Sequence, residues 1–306
     1  MVLTGSGTCA VEAMISSLAP REAATLVISN GVYGERIAEM LRIRDRPLVE
    51  VRSEWTKPMD LRAVEAAFQS DTNISHVAAV HNETTTGRLN QIRDLADLCL
   101  RYEKSLMLDS VSSFGAEAID FEHPSLLAVA ATANKCLHGI VGVAFVMMRQ
   151  TYLASFPSRA DSIYLDLYTY QEAQRSGFSP FTQATHAFFA LEEALAELRD
   201  QGGWLARRKR YRQLSLRLRE ALIRLGAVPL LEEAACSSMI SSFALPAGWN
   251  FSALHDRLKQ AGFVIYAGQG DLFQSTFRIS TMGDIGDDDM ERLINVLASV
   301  PTETGW

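Results

Sequence analysis

The first half of the chain alternates between two hydrophobic periods. Short apolar runs rich in β-branched residues, "TLVISN", "PLVEVRSEW", "ISHVAAVHN", "SLMLDS" and "LLAVAATA", end in polar or turn residues and read as buried strands. Between them, "ERIAEMLRIR", "LRAVEAAFQ" and "IRDLADLCLRYEK" repeat apolar residues every three or four positions, the spacing of one helix face. This alternation predicts an α/β fold, a mostly parallel central sheet wrapped by helices, with ligands held by the loops at the carboxyl ends of the strands. After "VGVAFVMMRQ" the alternation stops. A loop is expected there, leading into two long helices, "THAFFALEEALAELRDQ" and "WLARRKRYRQLSLRLREALIRLG", punctuated by Gly202 and Gly203. The rest, "SSMISSFALP", "FSALHDRLKQAG", "FVIYAG", "TFRIST" and "DDDMERLINVLASV", reads as a small α+β lobe ending in a helix. A large domain over 1–200 and a small C-terminal domain over 201–306 are expected.

With 306 residues and 48% hydrophobic content the chain can bury a full core in two lobes. A net charge of −7 lacks the basic excess that nucleic-acid binding uses, so no nucleic-acid partner is expected, and "ARRKRYRQ" at 206–213 reads as a solvated helix face. The longest apolar runs are too short to span a bilayer and the first residues lack signal-peptide order, which predicts a cytoplasmic protein without a membrane partner. Cys9, Cys99, Cys136 and Cys236 are widely spread and the six histidines show no ligand spacing. Neither a disulfide framework nor a metal site is expected.

The candidate chemistry follows the strands. "LTGSGTCAVEAM" is a glycine-rich turn opening a helix; bare amides, a helix dipole and the Ser6 and Thr8 hydroxyls would seat a phosphate, with Gly7 between them. It also matches a dinucleotide fingerprint, but only "MVLT" precedes it and Asn30, not an acidic residue, closes the next strand. A simple helix cap is the plainer alternative. "NGVYGER" places Tyr33 where its ring could lie on a planar ligand, or merely in the core. "HNETTTG" gathers hydroxyl and amide donors past a strand, or forms a hydrogen-bonded turn. Asp109 ends the strand "SLMLD" and is costly there unless it caps a helix or faces a cation such as a pyridinium nitrogen. Lys135, in "TANKCLHG", follows another apolar strand with no acidic neighbour; either it snorkels to water or it is desolvated enough to act as a nucleophile. Phosphate seat, aromatic plate, aspartate and lysine, each at a strand end, together suit pyridoxal 5'-phosphate.

The segments "LTGSGT", "NGVYGER", "HNETTTG", "LDSVSSFG", "ANKCLHG", "FSPFTQATHAFFALEEAL", "QAGFVIYAGQ" and "FRISTMGDI", in this order along nearly the whole sequence, resemble the class V aminotransferases of the fold-type I pyridoxal-phosphate enzymes. The resemblance implies that Lys135 holds the cofactor covalently, Asp109 pairs with the ring nitrogen, and Tyr33 and Val111 lie on opposite ring faces. It implies that Ser6, Gly7 and Thr8 cup the phosphate with Asn134 in reach, and that Thr84 contacts the ring's phenolic oxygen. Arg278 would grip the acidic end of a small amino donor, with a keto acid such as pyruvate as acceptor. Thr182 would lend its hydroxyl to the phosphate of a neighbouring subunit, making the active form a homodimer. Two departures are expected to matter. Relatives carry a further segment ahead of the "GSGT" turn that helps close the site, and they commonly have Pro-Pro where this chain has Gln183 and Ala184. Another donor, such as alanine or serine with glyoxylate, and a shortened non-catalytic relative are the alternatives.

Overall fold

In the computed structural model, which describes residues 1–153, 160–246 and 248–299, the predicted alternation is realised. The order is β1 (Val2–Gly5), α1 (Gly7–Leu18), β2 (Ala24–Ser29), α2 (Val32–Ile43), β3 (Leu48–Arg52), α3 (Leu61–Ser70), β4 (Ile74–Val80), β5 (Asn82–Glu83), β6 (Arg88–Leu89), α4 (Ile92–Arg101), β7 (Ser105–Asp109), β8 (Leu126–Thr132) and β9 (Gly142–Met148). Then come α5 (Gln150–Leu153), α6 (Leu167–Arg175), α7 (Thr185–Asp200), α8 (Gly203–Arg224), β10 (Val228–Pro229), β11 (Ile240–Ala244), α9 (Phe251–Gln260), β12 (Tyr266–Ala267), β13 (Thr276–Ser280) and α10 (Asp287–Ala298).

A seven-stranded sheet has the order β1-β9-β8-β7-β4-β2-β3. Its strands from β3 to β8 are parallel, and β9 runs against both neighbours. Side chains alternate between two covered faces, as the period of two requires. Val27, Ala78, Met107 and Ala130 pack under Met14 and Leu18 of α1 and Leu41 of α2. Leu26, Ile28, Val77, Leu106 and Leu108 pack under Val64 and Phe68 of α3 and Leu95 of α4. Both faces being apolar is why these strands read as unbroken hydrophobic runs. Asp60 caps α3 by accepting from the amides of Arg62 and Ala63.

The second sheet, β10-β11-β13-β12, is antiparallel throughout. The Phe243 and Phe277 rings stack at its centre, 5.5 Å apart, and Leu214, Leu218 and Leu222 of α8 cover it with α9 and α10. The amino end of α8 departs from the expected solvated face. Arg207 and Tyr211 are buried there, and the Arg207 Nη1 donates to the Cys136 carbonyl at 2.8 Å. Helix α6 also occupies part of the span expected to be loop. Its apolar residues are few, and long-range bonds hold it, the Gln174 side chain accepting from the Val2 amide and donating to the Val2 carbonyl. Among the described residues no helix is long and apolar enough to cross a membrane, and no cluster of three His, Cys, Asp or Glu could hold a metal ion.

Candidate active site

The sheet order sets β8, β7, β4 and β2 side by side, so the loops at their carboxyl ends meet. They form a cleft lined by Tyr33, Val80, Asn82, Thr84, Asp109, Val111, Ser112 and Lys135. Four separate sequence motifs thus converge on one space, each from one of these strand ends.

Asp109, the last residue of β7, is 7% exposed. Its Oδ1 accepts the Val111 amide at 2.9 Å, and no cation of the described residues lies within ion-pairing distance. Burial pushes this carboxyl up to about 7, with the nearby Glu83 adding to the rise and the Val111 amide opposing it. Lys135 stands in the short connection between β8 and β9. It is half-buried, less enclosed than the apolar run before it suggested, and its Nζ has no hydrogen bond or ion pair among the described residues. The loop around it is held firmly: the Ala133 amide donates to Val143, the His138 amide to Lys135, and the Cys136 thiol to the Ser112 carbonyl. Asn134 is half-buried beside it, its Oδ1 accepting from the Thr132 hydroxyl at 2.8 Å.

The glycine-rich turn adjoins the cleft through Val111. A Cβ on Gly7 would come within 2.4 Å of the Val111 Cγ1, so only glycine lets the start of α1 approach this closely. As the first residues of α1, Gly7 and Thr8 present amides that have no acceptor within the helix. Ser6, the extended residue before them, makes no side-chain cap, and both Ser6 and Thr8 are exposed. β1 lies at the edge of the sheet beside the reversed β9, a position unlike the central first strand of a dinucleotide fold.

Arg278, on β13 of the second sheet, reaches across to the Thr84 carbonyl with Nη1 at 2.8 Å, and its Nε donates to the Ala267 carbonyl at 3.0 Å. Gln269 takes a further bond from Nη1, while Nη2 has no acceptor among the described residues. Thr182 lies apart. It is exposed, next to Gln183, whose Oε1 accepts from the Thr4 hydroxyl. Sequence reasoning passed over Asn82, Ser112 and Glu83. Asn82 and Ser112 bond each other across β5 and the turn after β7, with the Asn82 Nδ2 donating to the Ser112 Oγ at 3.0 Å. The one local signal for Glu83 was an acidic residue in the polar run that follows a buried strand.

A family profile described as aminotransferase class-V matches residues 1–293. The 2-aminoethylphosphonate–pyruvate transaminase of Bacillus mycoides is 38% identical over 301 residues, covering 97% of this chain and 82% of that protein. The protein of the same name from Bacillus cytotoxicus is also 38% identical, over 299 residues, with 97% of this chain and 82% of that protein covered. Among solved structures, an aspartate aminotransferase of subgroup IV from Thermus thermophilus superposes with a TM-score of 0.89 at 26% identity, over 98% of this chain and 85% of that one. An alanine–glyoxylate aminotransferase from Nostoc shares the fold, with a TM-score of 0.88 at 22% identity over 97% of this chain and 80% of that one. A profile match over nearly its full length, joined to a cleft lined by both a lysine and a buried aspartate, places the chain in the class-V aminotransferase family.

Proposed function

We propose that this chain is a pyridoxal 5'-phosphate-dependent aminotransferase that transfers the amino group of 2-aminoethylphosphonate to pyruvate, yielding phosphonoacetaldehyde and alanine. Asp109 carries the reading: a carboxylate almost fully buried, with no cation of the described residues within ion-pairing distance, on the same cleft as Lys135. Such a group is costly unless a positive charge faces it, and a protonated ring nitrogen is a cation of the right kind. The rest of the donor set suits the same molecule. The free amides of Gly7 and Thr8, with the Ser6 and Thr8 hydroxyls, are fitted to a phosphate, with Asn134 close to Lys135. Tyr33 and Val111 line the cleft as apolar walls for a ring, and Thr84 offers a hydroxyl to a phenolic oxygen. The relatives named for 2-aminoethylphosphonate and pyruvate support the choice of donor and acceptor.

When bound, pyridoxal phosphate supplies a carbonyl that condenses with amines and a ring that accepts electrons. Asp109 would face the ring nitrogen and keep a proton on it, since burial makes this carboxyl favour a nearby positive charge. Lys135 Nζ would hold the cofactor and, once freed, would take up and return the proton of the substrate carbon. Arg278, steadied by two backbone carbonyls, turns Nη2 toward the acidic end of the donor. Thr182, exposed in one chain, serves the phosphate of a second, so the working form is a homodimer.

Reconstituted with pyridoxal phosphate, the protein should release alanine from pyruvate with 2-aminoethylphosphonate, and Lys135→Ala should abolish this release. Faster turnover with alanine or serine and glyoxylate would reassign the donor. Cofactor binding without alanine release from any amine would make the chain a non-catalytic relative.

A further inference from the structure

Glu83 is fully buried, with 0% of its surface exposed, and has no part in the reaction above. It lies in β5 between Asn82 and Thr84, both of which line the cleft. Its Oε1 accepts from the Thr85 hydroxyl at 2.7 Å and its Oε2 from the Gly34 amide at 3.2 Å. The Thr85 Oγ1 in turn accepts the Val32 amide at 3.0 Å. Helix α2 has Gly31 at its N-cap and therefore no side chain of its own to satisfy its first amides. Glu83 and Thr85 do this from another element; burial pushes the Glu83 carboxyl up, and the hydrogen bonds from Thr85 and Gly34 and the positive end of the helix oppose that rise. Gly31 makes room for it, since a Cβ there would lie 2.2 Å from the Glu83 Cγ. Tyr33, which lines the cleft, is the residue between the two amides so bound. The charged groups that bear on Glu83 from other elements are Asp109 of β7 and Arg278 of β13.

We propose that Glu83 is a positioning residue that caps α2 from the β5 hairpin and thereby fixes Tyr33 against the cofactor ring, an inference that rests on the cofactor reading given above. The test is the dissociation constant for pyridoxal phosphate, measured by fluorescence titration of the cofactor-free protein, with circular dichroism as the check on folding. Glu83→Gln and Thr85→Val should each weaken binding on the order of tenfold, as expected for loss of a hydrogen bond to a buried charge. In a Tyr33→Ala background either change should add little, because the residues act in series. Binding as tight as in the parent, or losses that add fully to that of Tyr33→Ala, would overturn the proposal. Should Glu83→Gln fail to fold, Thr85→Val alone decides by the same criteria. A parent protein that does not bind pyridoxal phosphate overturns the cofactor reading and this inference with it; a parent that binds while the variants bind equally well overturns this inference alone.

Discussion

At the scale of single residues, Asp109 makes a testable link between site chemistry and stability. Its carboxyl rises from 3.8 to about 7 on folding, chiefly through burial. For an acid whose folded value is the higher one, the native state binds the extra proton between those values, so stability falls as pH rises from about 4 to about 7 and stays reduced above. Without cofactor, Asp109→Asn should therefore melt higher than the parent at pH 8, by several degrees on the order expected for a few kcal/mol. Near pH 4 the difference should vanish. Saturating pyridoxal phosphate should reverse the ranking at pH 8, because only the parent gains a buried charge pair; thermal melts at the two pH values with and without cofactor provide the comparison. Asp109 and Lys135 could be singled out in the sequence since each breaks an otherwise apolar context. Glu83 could not, because its role depends on amides about fifty positions earlier, and hydrophobic periodicity reports only local geometry.

At the scale of elements, the strands were legible where both faces are covered, as in β2, whose six residues are all buried. The β5–β6 hairpin and α6 were not. The hairpin has two residues per strand, and α6 buries only Leu167, Tyr170 and Gln171, too little apolar repetition to stand out. The contact between α1 and the turn after β7 yields a second prediction. Gly7→Ala should force the amino end of α1 away from Val111 and weaken pyridoxal phosphate binding about tenfold or more while the protein still folds. Val111→Ala in the same chain should restore part of that affinity by vacating the methyl groups in the way. Equilibrium dialysis against the cofactor would show whether the second change compensates the first.

At the scale of the whole molecule, α8 joins the two sheets. Its Arg207 holds the Lys135 loop through the Cys136 carbonyl, and its Leu214 and Leu218 belong to the core of the second sheet. Nothing in "ARRKRYRQ" distinguishes a buried arginine from its solvated neighbours, so this joint was hidden from the sequence. The proposed sharing of Thr182 between subunits can be tested by mixing. Thr182→Ala should bind cofactor more weakly, and subunits carrying it, when exchanged with inactive Lys135→Ala subunits, should regain activity per intact lysine. In such a mixed pair one site has both its own Lys135 and its neighbour's Thr182. Sedimentation should give the mass of two chains, and no gain on mixing would confine each site to one chain.

The reversed strand β9 carries an implication for how the protein is made. Among the described residues β1 pairs with β9, Val2 opposite Phe145, so although α1 can already pack on β2, β4, β7 and β8, the strand leading into the glycine-rich turn has no ladder partner until that distant stretch has left the ribosome. Nascent chains arrested before β9 should leave the "GSGT" turn open to proteases, and those arrested after β9 and clear of the exit tunnel should protect it.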